Sequence, residues 1–191
     1  MKTAATSWRA VWVVMIALGF SLSGAVADDG GAALLGSPAK EWKFEQWQNS
    51  PSLKLDELKG KVVLVRWWMA PGCRYCAATA PALNEFHRDY QERGLIVIGA
   101  YHHKASRPLR VEEVKAQAEK LGFKFPVAID PEWKTLRAWW LDGQDRDFTS
   151  VSFLIDRQGV VRFIHPGGQF VKGDKDYVAL KGKIEELLKA E

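Results

Sequence analysis

Apolar residues along this chain fall into short runs and helical repeats that alternate. Residues 62–68 (VVLVRWW) and 95–101 (LIVIGAY) are almost unbroken apolar runs, and 126–129 (PVAI) is a shorter one. A strand reads this way when it is buried on both faces of its sheet, so each is predicted as a core strand. Over 73–93 the apolar positions are Cys76, Ala80, Leu83, Phe86 and Tyr90, at helical spacing, and Gly94 supplies a stop. A second helix is predicted over 110–121, ended by Gly122, and a last one over 176–189. Residues 131–141 read as a tryptophan-rich helical turn or two, and 102–108 as a polar loop. Residues 151–155 and 160–165 read as an antiparallel hairpin across the turn DRQG. Ahead of the first core strand, 41–58 is apolar without a clean period and is predicted as an irregular edge or hairpin. Residues 28–40, rich in Gly, Ala and Asp, read as a flexible lead-in. Strand–helix–strand–helix, then a hairpin and a terminal helix, implies an α/β fold with a mixed central sheet flanked by helices and an N-terminal extension.

One apolar run has a different meaning. Residues 11–20 (VWVVMIALGF) follow Lys2 and Arg9 and precede Ala25-Val26-Ala27. A basic head, a short apolar middle and a small-x-small ending describe a secretory signal peptide over 1–27. A membrane span needs about 20 apolar residues, a length this run reaches only by taking in serines and glycines. Cleavage is expected, with a retained N-terminal anchor as the alternative; it leaves a mature chain that starts at Asp28, with one domain over 41–191 and no stable membrane span. The expected location is periplasmic or secreted, where disulfides persist.

Composition narrows the function classes. Hydrophobic residues are 47% and charged residues 26%, which is globular and excludes a disordered or collagen-like chain. The net charge is +4, with no run of five basic residues, so nothing marks a nucleic-acid partner. With two cysteines, a disulfide-scaffold domain is excluded.

Those two are Cys73 and Cys76, a C-x-x-C at the first turn of the helix that follows the first core strand. The first amide N–H groups of a helix lack partners and carry the positive end of its dipole, so a thiolate at Cys73 is stabilised there. Arg74 adds positive charge nearby. Cys73 can then attack a disulfide and Cys76, one turn on, can resolve the mixed disulfide. The pair could also be half a zinc site, but no second C-x-x-C or H-x-x-x-H completes four ligands. As an inert bridge it would close too short a loop to stabilise much.

The chain resembles the thioredoxin superfamily, in particular the exported TlpA/ResA-type thiol-disulfide oxidoreductases. The marks are Gly60-Lys61-Val62-Val63-Leu64-Val65 leading into Cys73-Arg74-Tyr75-Cys76, then Ala80-Pro81-Ala82-Leu83, and later Ser152-Phe153-Leu154-Ile155-Asp156-Arg157-Gln158-Gly159. The resemblance implies a thioredoxin fold, no bound cofactor beyond the redox-active disulfide, and Cys73 and Cys76 as nucleophile and resolving cysteine. It implies protein thiols and disulfides as substrates and a redox relay protein as partner.

Four features depart from the family. Gly72 stands where Trp usually precedes the first cysteine, and Thr79 where ResA-type proteins carry a Glu. Ser150 takes the place of the cis-proline in the loop facing the cysteines, so Thr149–Ser150 is expected trans, at the substrate-aligning position. The pair His102-His103 follows the second core strand, at the sheet edge where α/β sites form. The two are expected as solvated loop residues, with a proton-donor or metal-ligand role as the alternative. Gly72, Arg74, Tyr75, His102, Thr149 and Ser150 are thus the expected surround of the cysteine pair, and His165-Pro166-Gly167-Gly168 can approach the same edge. No metal is expected; the alternative is a copper- or other metal-binding protein using Cys73, Cys76, His102 and His103. A peroxidase is disfavoured, because Arg66 and Ala70 occupy the Pro and Thr/Ser positions of the motif P-x-x-x-[T/S]-x-x-C.

Overall fold

A computed structural model describes residues 30–146 and 148–190; the expected signal peptide lies outside the described residues. Six strands form one mixed sheet: β1 (Glu45–Gln48), β2 (Val62–Trp68), β3 (Leu95–Tyr101), β4 (Val127–Ile129), β5 (Ser152–Ile155) and β6 (Val161–His165), in the order β1-β4-β3-β2-β5-β6. β2 runs parallel to β3 with Val62 opposite Leu95 and Trp68 opposite Tyr101, and β3 is parallel to β4. β5 pairs antiparallel with β2 and β6 with β5, while β1 closes the other edge antiparallel to β4.

All seven residues of β2 are buried, as its apolar run predicts, and alternate side chains feed two cores. Val62, Leu64 and Trp68 pack with α1 (Arg74–Tyr90), α2 (Val111–Lys120) and α3 (Lys175–Lys189). Val63, Val65 and Trp67 face Trp42, Phe44, Trp139 and Phe153. A fully buried side chain of this size contributes roughly 1.5–3 kcal/mol, so the central strand is strongly anchored on both faces. The exception to apolar content is Arg66, whose side chain is 1% exposed.

α1 buries Cys76, Thr79, Ala80, Leu83, Phe86 and Tyr90, the stripe its spacing predicts. It passes into a short turn at Gln91–Arg93 and stops at Gly94, whose φ of 99° is the left-handed conformation open to glycine. α3 is capped by Asp174, which accepts from Tyr177 N–H at 2.7 Å. Residues 131–141 form three consecutive helical turns that bury Thr135, Leu136, Trp139 and Trp140.

The described part of the lead-in is ordered along the hairpin. Gly36 N–H donates to Val161 O, Ala39 N–H to Gly159 O, and Val161 N–H to Ser37 O, with an antiparallel bridge Pro38–Val160. β6 is an edge strand with free backbone groups, and 36–39 satisfies them.

Candidate active site

The chain between β2 and α1 turns through Met69-Ala70-Pro71-Gly72 and delivers Cys73 as the helix cap. Cys73 Sγ accepts the Cys76 N–H at 3.1 Å, and the two sulfurs form a disulfide with Cα atoms 5.3 Å apart. Cys73 is half-buried, whereas Cys76 is 3% exposed. The reachable sulfur is therefore the one at the helix terminus. The Arg74 guanidinium stacks 4.8 Å over the Tyr75 ring and donates to Tyr75 Oη.

Cys73 opens into a cavity of about 320 Å³ lined by Met69, Gly72, Arg74, Tyr75, His102, Lys104, Phe148, Thr149 and Ser150. The six residues expected around the cysteines are all on this wall. Met69, Lys104 and Phe148 were not foreseen. Phe148 is 46% exposed and meets Tyr75 edge-on at 6.1 Å, giving the rim an aromatic pair. Gly72 is exposed, with open space where a larger residue would project.

The Thr149–Ser150 peptide is trans, as expected. The Ser150 hydroxyl accepts from Gly168 N–H at 3.1 Å and lies 3.4 Å from Gly168 O. The stretch after β6 thus reaches the active edge through its glycines. His165 itself is buried and turned inward, with Nδ1 3.4 Å from Arg66 Nη1 and Nε2 3.7 Å from Asp176 Oδ2. Burial and the Arg66 charge pull its pKa down to about 4. Thr79, where the family carries a carboxylate, accepts the Phe170 N–H through its hydroxyl at 3.3 Å, a bond inside the core.

The two adjacent histidines part company. His102 is not a solvated loop residue: it is wholly buried, edge-on to Trp133 at 5.0 Å, and neither ring nitrogen has a partner among the described residues. Burial, with Lys104 and His103 adding, lowers its pKa from the ordinary 6.5 to about 3, so it is neutral at physiological pH. It is buried because its N–H continues the parallel ladder, donating to Trp68 O at 3.0 Å. His103 turns the other way, to Tyr101 Oη and Arg107 O, into a separate cavity of about 290 Å³. The alternative metal set is therefore not assembled, and among the described residues no three His, Cys, Asp or Glu side chains are grouped to hold a metal ion.

Arg66 is the residue that sequence reasoning missed, although a basic side chain inside VVLVRWW is itself a signal. Its Nη2 donates to Gly168 O at 2.6 Å, its Nη1 to Ser152 Oγ at 3.2 Å, and its guanidinium lies 5.3 Å over the Phe170 ring. It forms no ion pair among the described residues, and burial lowers its pKa to about 9, which leaves it charged at neutral pH. Trp67, next along β2, donates to the buried Asp130 carboxylate at 2.9 Å.

A sequence model of the AhpC/TSA family matches residues 35–164. The chain belongs to the AhpC/TSA family. Within it, the protein is of the TlpA/ResA type. It is similar to the thiol-disulfide oxidoreductase ResA of Bacillus cereus, 29% identical over 182 residues, covering 88% of this chain and 89% of ResA. Protein DipZ of Mycobacterium bovis is 31% identical over 145 residues, 74% of this chain, but the chain spans only 19% of DipZ. A solved thiol-disulfide isomerase from Corynebacterium glutamicum superposes with a TM-score of 0.61 at 28% identity, covering 81% of this chain and 97% of that one. A C-x-x-C disulfide caps a helix in a fold shared with these proteins. Peroxidase chemistry is not indicated: Ala70 has no hydroxyl, and the Arg66 guanidinium points to Gly168, Ser152 and His165.

Proposed function

We propose that Cys73 is the attacking sulfur and Cys76 the resolving one, exchanging electrons with protein disulfides that enter the cavity beside Phe148, Thr149 and Ser150. The observation that carries this reading is the asymmetry of the pair: Cys73 is half-exposed, caps the helix and accepts the Cys76 N–H, whereas Cys76 is 3% exposed one turn inside. In the reduced protein the Cys73 thiolate attacks one client sulfur, the client S–S bond breaks, and the departing thiolate takes a proton from solvent. The Cys76 thiolate then attacks Cys73 Sγ, closing the Cys73–Cys76 bond and releasing the second client thiolate. Two electrons have passed to the client, and a dithiol relay protein returns them to the pair. With a client dithiol the same steps run in reverse.

No helix among the described residues is long and apolar enough to cross a membrane. We place the mature protein outside the cytoplasm, starting at Asp28, on the strength of the 1–27 pattern; mass spectrometry of the exported protein tests that start. For the cysteines, Cys76→Ser should trap mixed disulfides with client proteins and Cys73→Ser should not. Faster alkylation of Cys76 than of Cys73 in the reduced protein at neutral pH would reverse the assignment.

A further inference from the structure

An arginine at the centre of β2 needs a reason. Its neighbours Val65 and Trp67 are apolar, and replacing a buried charge by an apolar side chain of similar volume is often neutral or stabilising. What the guanidinium holds is one backbone carbonyl and two side chains. Nη2 takes the Gly168 carbonyl at 2.6 Å, and Nη1 is shared between Ser152 Oγ and His165 Nδ1. With Nδ1 facing a guanidinium donor, the neutral His165 ring carries its proton on Nε2, toward Asp176, 3.7 Å away. Gly168 in turn donates its N–H to Ser150 Oγ at 3.1 Å, and Ser150 closes the cavity wall of 148–150 next to Cys73.

We propose that Arg66 is a positioning residue for client disulfides: it anchors Gly168, Gly168 anchors Ser150, and the 148–150 wall is thereby held where a client chain must lie to present its sulfur to Cys73. The inference rests on the reading that clients reach Cys73 through this cavity. Arg66 touches neither cysteine, so its effect falls on alignment of a polypeptide and not on the sulfur itself. A displacement of about 1 Å at a reacting centre costs on the order of 10²-fold in rate. A small aromatic disulfide such as 5,5′-dithiobis(2-nitrobenzoate) needs no such alignment.

The test compares wild type, Arg66→Met, Arg66→Lys, Ser150→Ala and the double variant Arg66→Met/Ser150→Ala. Two rates are read on the reduced, full-length protein: insulin disulfide reduction and reaction with the small disulfide. Arg66→Met should lower kcat/KM for insulin about 10-fold or more, and leave the small-disulfide rate within about twofold. Arg66→Lys, whose ammonium extends one bond further than a glutamine amide and can still donate to Gly168 O, should recover most of the loss. The double variant should be no slower than the slower single variant, because both changes release the same loop. An unchanged insulin rate, an equal fall with both substrates, or additive losses would overturn the proposal. If both Arg66 variants fail to fold, Arg66 is a structural residue and the proposal falls as well. Wild type inert toward both disulfides would instead refute the oxidoreductase reading beneath it.

Discussion

His102→Leu is the perturbation that most directly tests how this fold treats a buried ionisable group beside its active cavity. The imidazole is wholly buried at the end of β3, its ring nitrogens have no partners among the described residues, and burial lowers its pKa from 6.5 to about 3. Lys104 and His103 push in the same direction. The unfolded chain therefore takes up a proton near pH 6.5, while the folded chain resists until near pH 3. Between those values the unfolded state binds more protons, so stability present above pH 6.5 is lost as pH falls toward 3. At pH 5 the unfolded imidazole is almost fully protonated and the folded one almost fully neutral. The resulting loss between pH 7 and pH 5 is about 2 kcal/mol from His102 alone. Leucine fills the site, deletes both orphan nitrogens and deletes the titration. At pH 7 the variant should match wild type or exceed it by up to about 2 kcal/mol, since an unpaired buried polar group costs about 1–3 kcal/mol. Its stability should then fall about 2 kcal/mol less than that of wild type on going to pH 5. Urea unfolding of both oxidised proteins at the two pH values, at equal ionic strength, gives the difference directly. His165, held down to about 4, titrates in the same window but is present in both proteins and cancels. A variant that loses as much stability as wild type between pH 7 and pH 5 would show that His102 is not neutral in the folded protein.

Two further expectations follow from contacts around the same edge. Asp130 accepts from Trp67 Nε1, Thr135 N–H and Leu136 N–H, all at 2.7–2.9 Å, so Asp130→Ala should cost about 3 kcal/mol or more in urea unfolding through three orphaned donors; a smaller loss would mean that the 131–141 turns repack without it. Gly167→Ala would place a Cβ 2.1 Å from Phe148 Cβ, at a φ of 137° that disfavours any side chain. The displaced Phe148 should raise KM for insulin while sparing the small-disulfide rate, and equal effects on both substrates would assign the change to Cys73 instead.

Much of this molecule was legible in order along the chain. The runs at 62–68 and 95–101, the 3.6-residue stripe from Cys76 to Tyr90 and the stop at Gly94 encode their elements locally: strand burial, helix amphipathicity and a left-handed cap are decided by neighbours within a few residues. The C-x-x-C at the start of that helix carries its chemistry the same way, since the helix terminus polarises whichever sulfur caps it. Even the absence of a proline at Ser150 and the trans peptide before it follow from residue identity.

Tertiary structure decided what lies far apart in sequence. His102 and His103 are adjacent and chemically identical, yet one is drawn into the core because its N–H bonds to Trp68 O, and the other turns to Tyr101 and Arg107. No local pattern distinguishes them, because the difference is the register of β3 against β2. The lead-in carries no strand pattern in its glycines and alanines, and residues 36–39 pair with the hairpin because β6 presents an open edge to them. Arg66 and Gly168 are 102 residues apart and meet only when β5 and β6 fold back beside β2. Desolvation depends on how much of the chain closes over a group, and an ion or imidazole in a sequence carries no record of that closure. The elements and the reacting sulfurs are therefore local properties of this chain, whereas the neutral histidines and the buried guanidinium behind Ser150 exist only in the packed sheet.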